Sequence, residues 1–396
     1  MSAWMRTRYL DARPPSTHAY GFASSPSRPS LSRLVSCRML PQEVRGAMNV
    51  TQSASTAVER VSARGPLSAA VLKSLQGEGP GVDVASSAEQ AVASTADVIR
   101  DDDVQLALFL LYAVVYGSIP ELDARREWDL PLIAARLTLE RAFEAAIRAV
   151  VPDWPVPEPS AGAVASTLFK VTSADTGPSL SRFLAKKATR EQALEFLVLR
   201  SIYTLREADP HSWAIPRLRG RAKAALVEIQ ADEYGGGQAE RVHAELFAKA
   251  MRGAGLDDRY GGYVDVVPAV TLASMNMMSL FGLNRRLIGA IVGHLAAFEM
   301  TSSIPSRLYA DGLRRQGFGE DVTDYFDEHV EADAVHEQIA GRDLAGALAE
   351  EHPELLPDIL FGATACLTLD GVVAEHVLER WQSGRCALRD VTGGGE

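Results

Sequence analysis

The spacing of apolar residues predicts helices from about residue 100 almost to the C-terminus. In segment 130–151, LPLIAARLTLERAFEAAIRAVV, Leu, Ile and Phe recur at intervals of three and four, which is the period of an amphipathic α-helix. Similar segments follow as far as residue 382, while the apolar–polar alternation of a β-strand is nearly absent. No repeat of solenoid length is found. We therefore expect an all-α fold in which residues 100–390 form one compact helical bundle.

The first 99 residues have weak periodicity and are rich in Ser, Gly, Pro and Ala. This composition predicts a largely disordered tail with no more than one short helix. Residues 1–47 hold seven arginines but only two acidic residues, as organelle transit peptides do. Pro14, Pro15, Pro26 and Pro29 break the amphipathic helix that such a peptide needs. We expect either a disordered tail or a start codon upstream of the true one at Met48.

The composition indicates which partners and which cellular compartment to expect. The net charge of −11 and the isoelectric point near 5.3 argue against a nucleic-acid partner. The three cysteines lack the spacing of a disulfide framework or a metal site, which fits a reducing cytoplasm. The longest apolar runs, 106–116 and 287–298, are too short to cross a bilayer, so we predict core helices there. A cytoplasmic protein without a membrane partner is expected.

The clearest candidate chemistry lies in segment 321–340, DVTDYFDEHVEADAVHEQIA. His329, Asp333 and His336 are spaced so that one face of an α-helix would carry all three. Imidazole and carboxylate together suit iron or manganese. The alternative is a solvated polar face, because three further glutamates crowd the same helix.

A second cluster occupies segment 228–247, EIQADEYGGGQAERVHAELF. Glu233 ends a predicted helix, a run of three glycines permits a sharp turn beside a site, and His243 lies in the next helix. Glu240 stands three residues before His243, on the same helix face. A lone histidine of this kind is also compatible with an ordinary core or surface position.

Two ligand sets can be written from these patterns. A ferritin-like site would use Glu240 with His243 and Asp333 with His336. It leaves His329 unexplained and needs two more carboxylates. In a third segment, 199–223, Glu207 lies just before a proline at which a helix should stop, and its own pattern does not single it out.

Together, the segments SIYTLREADPHSW, DEYGGGQAERVHAELF and YFDEHVEADAVHE resemble the haem-oxygenase-like di-iron oxidases and oxygenases, a family of iron-containing redox enzymes. The family pattern is a Glu, then a Glu and a His about ten residues apart, then a His-x3-Asp-x2-His helix. The similarity in character extends over about 100–385. Under this resemblance Glu240 is an ordinary exposed residue. The implied metal ligands are Glu207, Glu233, His243, His329, Asp333 and His336.

The resemblance implies a haem-oxygenase-like bundle that holds two iron ions, Fe(II) or Fe(III), and uses O2 as co-substrate. The substrate would be a small amine, amino acid or carboxylic acid, and the outcome N-oxygenation, desaturation or oxidative C–C cleavage. No catalytic residue beyond the ligands is assigned, although His294 and Glu299 are candidates to support the ligands or line a pocket. An electron donor and a homodimer are compatible partners. The alternatives are a haem-binding or haem-degrading protein of the same fold and a non-enzymatic iron-binding bundle.

Overall fold

The computed structural model describes residues 61–77, 83–119, 122–174, 177 and 179–390, apart from the side chains of 331–334. These residues form helices and connecting turns, and none of them lies in a β-strand. The predicted all-α fold is therefore confirmed. The predictions for residues 1–60 lie outside the described part of the chain.

The helices are named in chain order. Those of the N-terminal half are α1 (Pro66–Gln76), α2 (Val84–Ser94), α3 (Asp102–Tyr116), α4 (Leu130–Val150), α5 (Ala161–Ser173) and α6 (Leu180–Lys186). Those of the C-terminal half are α7 (Arg190–Thr204), α8 (Asp209–Ser212), α9 (Gly220–Glu233), α10 (His243–Gly253), α11 (Ala269–Leu283), α12 (Ile288–Arg315), α13 (Glu320–Gln338), α14 (Ala347–Glu351) and α15 (Leu356–Gln382). A π-helical segment, Ile339–Gly346, continues α13 directly.

Helices α1 and α2 lie within the stretch predicted as a tail, so the helical domain begins earlier than residue 100. Leu67 and Val71 of α1 are buried. The carboxylate of Asp103 accepts hydrogen bonds from the backbone N–H groups of Leu67 at 2.9 Å and Ser68 at 2.7 Å. Tertiary packing stabilises these two helices, because isolated helices of 11 residues are marginal in water. Both lie N-terminal to the predicted boundary at residue 99.

The core is built around α12 and α15, which run against each other. With the turns that precede them (Arg285–Arg315 and Pro353–Gln382), both are long and apolar enough to cross a membrane by length and composition. In the fold, 61% and 50% of their most apolar windows are buried inside the protein. This burial indicates core helices, as predicted for 287–298.

Two glycines set the close approach of this helix pair. A Cβ on Gly293 would overlap the carbonyl oxygen of Ile359, and one on Gly362 would overlap that of Ala290. Each helix backbone therefore touches the other without an intervening side chain. The pair carries His294 and Glu299 toward the interior, so its spacing affects the site described below.

Substituting Gly293→Ala should lower the free energy of unfolding by about 1–3 kcal/mol, because the added methyl forces the two backbones apart. The matched control is Gly371→Ala in α15, where a Cβ would meet nothing within 4 Å. That variant should be neutral or more stable by up to about 1 kcal/mol, since alanine is the better helix former. Chemical denaturation of both variants checks this, and equal stability of the two would contradict the packing.

Candidate metal centre

Four of the six predicted ligands converge in the interior. Each offers a donor atom, and the four atoms all lie within 4.8 Å of one another. The four side chains are buried, with at most 7% of each residue exposed. They come from the turn after α7, the last residue of α9, the first residue of α10 and the middle of α13: Glu207, Glu233, His243 and His329.

The glycine run folds the chain back so that Glu233 and His243 meet. Gly235, Gly236 and Gly237 have φ values of 72°, 60° and 88°, in the left-handed region that favours glycine. A Cβ on Gly235 would stand only 2.7 Å from the backbone at Val242. The close turn predicted from the sequence is confirmed, and it places the end of α9 against the start of α10.

The donor spacing fits a metal ion. The Oε2 atom of Glu233 lies 3.1 Å from Nδ1 of His243, yet neither buried atom has a hydrogen-bond partner of suitable geometry among the described residues. Nε2 of His329 lies 3.5 Å from Oε1 of Glu207. Two donors that share a first-row divalent ion at about 2.1 Å stand about 3 Å apart when they meet at right angles. Converging imidazole and carboxylate donors at this spacing therefore fit an iron site.

Tyr325 holds two of these ligands in place. Its hydroxyl donates to Oε1 of Glu207 at 2.8 Å and is 2.9 Å from Oε2. Its backbone carbonyl accepts the Nδ1–H of His329 at 2.7 Å, which leaves Nε2 of that ring with its lone pair toward Glu207. Burial and the charge of Glu207 raise the pKa of Tyr325 well above its ordinary value, so the phenol stays protonated and donates.

Two buried imidazoles, those of His211 and His294, support the backbone of Glu207. Nδ1 of His211 donates to the backbone carbonyl of Glu207 at 3.2 Å, and its Nε2 lies 3.1 Å from Nδ1 of His294. Burial lowers the pKa of His211 to about 4 and that of His294 well below 6.5. Both rings are therefore neutral at pH 7. Because the carbonyl can only accept, His211 accepts at Nε2 and His294 is the donor of the pair.

The carboxylate of Glu233 is ionised. Burial opposes its charge, but the neighbouring imidazoles, His243 foremost, lower its pKa to about 2. Burial likewise opposes a charge on His243, while Glu233 raises the pKa of that imidazole. The ionised carboxylate thus favours a positive charge beside it, which a bound cation would supply.

His336 lies outside the group of four. Its Nε2 is 3.1 Å from Oδ2 of Asp232, and its Nδ1 is 3.5 Å from Oε2 of Glu299. Asp333 occupies α13 between His329 and His336, as predicted, but its side chain is not among those described. The structure thus brings four predicted ligands together and places His336 at a neighbouring carboxylate, and the six-ligand set stays a prediction.

Two contacts at the site, those of Tyr325 and Asp232, were not assigned from the sequence. Tyr325 had a usable signal, since it precedes His329 by one helical turn on the same face. Glu299 stood out as an acid within an apolar helix, and the structure places it against His336. Asp232 had no signal of its own. Glu240 of the rival ligand set is exposed in a turn before α10.

Substituting Glu233 or Glu240 by glutamine should show which of the two alternative ligand sets binds the metal. Glu233→Gln should weaken Fe(II) binding by roughly tenfold or more, because a buried donor is lost. Glu240→Gln, in the same segment, should leave it unchanged because that side chain is exposed. Anaerobic Fe(II) titration measures both variants. A larger loss in Glu240→Gln would support the ferritin-like set instead.

Tyr325→Phe should keep the amount of bound iron but weaken its affinity by about 10–100-fold, because Glu207 loses the group that orients it. Tyr263→Phe is the control: it removes another buried hydroxyl, which accepts a hydrogen bond from the backbone of Asp257 at 2.8 Å. Equal iron affinities in the two variants would show that Tyr325 is only a packing residue.

Comparison with known proteins bears on the same region. Residues 194–371 match a protein family described as iron-containing redox enzymes. A nitrosourea synthase from Streptomyces achromogenes subsp. streptozoticus is 30% identical over 178 residues, which cover 44% of this chain and 38% of that protein. The chain thus matches well under half of the length of this relative.

All six predicted ligands and the supporting residues Tyr325 and Glu299 lie within the matched range. The family match therefore coincides with the part of the fold that gathers the buried donors. The resemblance predicted from the three motifs is confirmed over residues 194–371, where this chain matches the iron-containing redox enzymes.

Proposed function

We propose that this chain is an O2-dependent, non-haem di-iron oxidoreductase that oxidises a small organic molecule. The observation that carries the proposal is the buried group of two carboxylates and two imidazoles. Within it, Oε2 of Glu233 and Nδ1 of His243 face each other without a hydrogen bond. The group lies in the segment that matches iron-containing redox enzymes.

The residues divide between two neighbouring positions. The first would be held by the four clustered side chains. The second would be held by His336 and Asp333, with Glu299 offering a buried carboxylate beside Nδ1 of His336. Ferrous ions at these positions would supply the electrons that reduce O2 and make the oxidation of the substrate feasible.

The chain itself orients the ligands and excludes water. Tyr325 fixes Glu207, and its own ring packs against His329 at 4.3 Å and Phe247 at 5.1 Å between centroids. The ring of Phe326 packs against that of Tyr325, with 5.0 Å between the centroids, and adds a further layer around the donors. These buried rings keep bulk solvent from the donors, which protects reactive species and strengthens local electrostatics. The neutral imidazoles of His211 and His294 hold the backbone of Glu207 in place without adding charge.

The relative's name, nitrosourea synthase, favours N-oxygenation over desaturation or C–C cleavage. The haem-binding alternative needs an imidazole away from carboxylates, whereas His243 lies 3.1 Å and His329 3.5 Å from a glutamate oxygen. A cytoplasmic location, an external electron donor and a homodimer complete the proposal, on the strength of composition and the family resemblance.

Anaerobic titration with Fe(II), followed by exposure to O2, tests the proposal. Two ions per chain should bind, and O2 should oxidise both. His336→Ala should bind one fewer, because only the second position loses a ligand. Iron content near zero after loading, or tight binding of haem in place of iron, would refute the di-iron function. Iron that binds but does not react with O2 would favour the non-enzymatic bundle.

A further inference from the structure

A cavity of about 590 Å³ lies between α6, α7, α11, α12 and α15. Its lining combines aromatic rings, hydroxyl groups and aliphatic side chains with few charged side chains: Arg182, Arg200 and Asp370. A pocket with apolar walls and a small number of placed polar groups is typical of small-molecule sites. The two clustered glutamates and two clustered histidines are not part of its wall.

Arg200 lines this cavity without a partner for its charge. Among the described residues, no carboxylate lies within ion-pair distance of its guanidinium, which donates no hydrogen bond, and its buried Nε has no acceptor. Instead, its Cζ lies 4.4 Å from the ring centroid of Tyr203 and 5.5 Å from that of Tyr309. By contrast, Arg206, later in the same segment, pairs with Asp209.

A second polar group in the same cavity is also unsatisfied. Oγ1 of Thr271, on α11, is buried and has no hydrogen-bond partner among the described residues. Unpaired buried polar groups are costly. A cation held by aromatic rings and a nearby hydroxyl that lacks a partner both indicate that a ligand completes the site.

Aromatic rings link the cavity to the metal centre: Tyr309, in the cavity wall, packs against Phe326 at 5.9 Å between centroids, and Phe326 packs against Tyr325 at 5.0 Å. Arg200 lies near the end of α7, seven residues before Glu207 in the turn that follows that helix. The ring of Tyr203 packs edge-on against Phe298 at 5.9 Å, and Phe298 directly precedes Glu299. A ligand held at Arg200 would therefore lie one layer of aromatic rings away from the residues that hold the metal ligands.

We propose that Arg200 anchors the carboxylate of the substrate, so that the enzyme acts on an organic acid rather than on a simple amine. A guanidinium binds a carboxylate through two parallel hydrogen bonds, which fixes the orientation of the acid as well as its position. The inference rests on the proposed function, since it names the substrate class of that centre.

Arg182 offers a matched control. It lines the same cavity but is exposed, and no ring stacking is seen for it among the described residues. If any cationic group at the cavity sufficed, Arg182→Gln and Arg200→Gln would act alike. Arg200→Lys keeps the charge and removes the planar fork, so it separates charge from geometry.

The experiment compares pairs of probes that differ only in the carboxylate: L-lysine with cadaverine, L-arginine with agmatine, and hexanoate with hexane. Inorganic phosphate is a further arm. Binding to the iron-loaded protein is measured by anaerobic calorimetry. At least one acid should bind at least tenfold more tightly than its partner probe. Arg200→Gln should abolish that preference, Arg200→Lys should restore part of it, and Arg182→Gln should leave it within twofold.

Equal binding within every pair, no binding of any acid, tighter binding of phosphate than of the acids, or a preference that survives Arg200→Gln would overturn the assignment. Iron content and thermal stability are measured on the same samples. Wild-type protein that binds iron but shows no carboxylate preference contradicts only this inference. Wild-type protein that binds no iron contradicts the proposed function as well.

Discussion

Two buried carboxylates, Glu207 and Glu233, lie against two buried imidazoles, and the interior must balance their charge. An isolated ionised carboxylate in a protein core is strongly unfavourable, and removing one partner of a buried pair costs about 3–5 kcal/mol. Within the protein, Glu233 raises the pKa of His243, and a proton on that imidazole would supply part of the balance. Divalent ions would supply it more completely, because one cation can serve several oxygen and nitrogen donors.

The rest of the domain can be understood as support for this arrangement. The left-handed glycine turn brings α9 and α10 together at the donors. The close contact of α12 with α15 through Gly293 and Gly362 positions the helix that carries His294 and Glu299. Tyr325 connects Glu207, in the turn after α7, with His329, one turn further along α13. The cavity with Arg200 adjoins this framework, so substrate binding and metal binding would share α7.

Helical periodicity was sufficient to predict the fold class, and the spacing of His329, Asp333 and His336 was sufficient to predict a stripe on one helix. Glu207 could not be found this way, because it lies in a turn, where spacing carries no information about direction. At most one short helix was predicted before residue 100, whereas α1 and α2 both form there, because tertiary contacts stabilise them. The position of His336 beside Glu299 depends on packing between α12 and α13, which no local pattern encodes.

The most direct test of the central claim is a crystal structure of protein loaded anaerobically with Fe(II), with anomalous diffraction recorded on both sides of the iron absorption edge. The account predicts two iron peaks per chain. One should lie among Glu207, Glu233, His243 and His329, and the other beside His336. Absence of iron from the four clustered donors, or iron only at the protein surface, would contradict it.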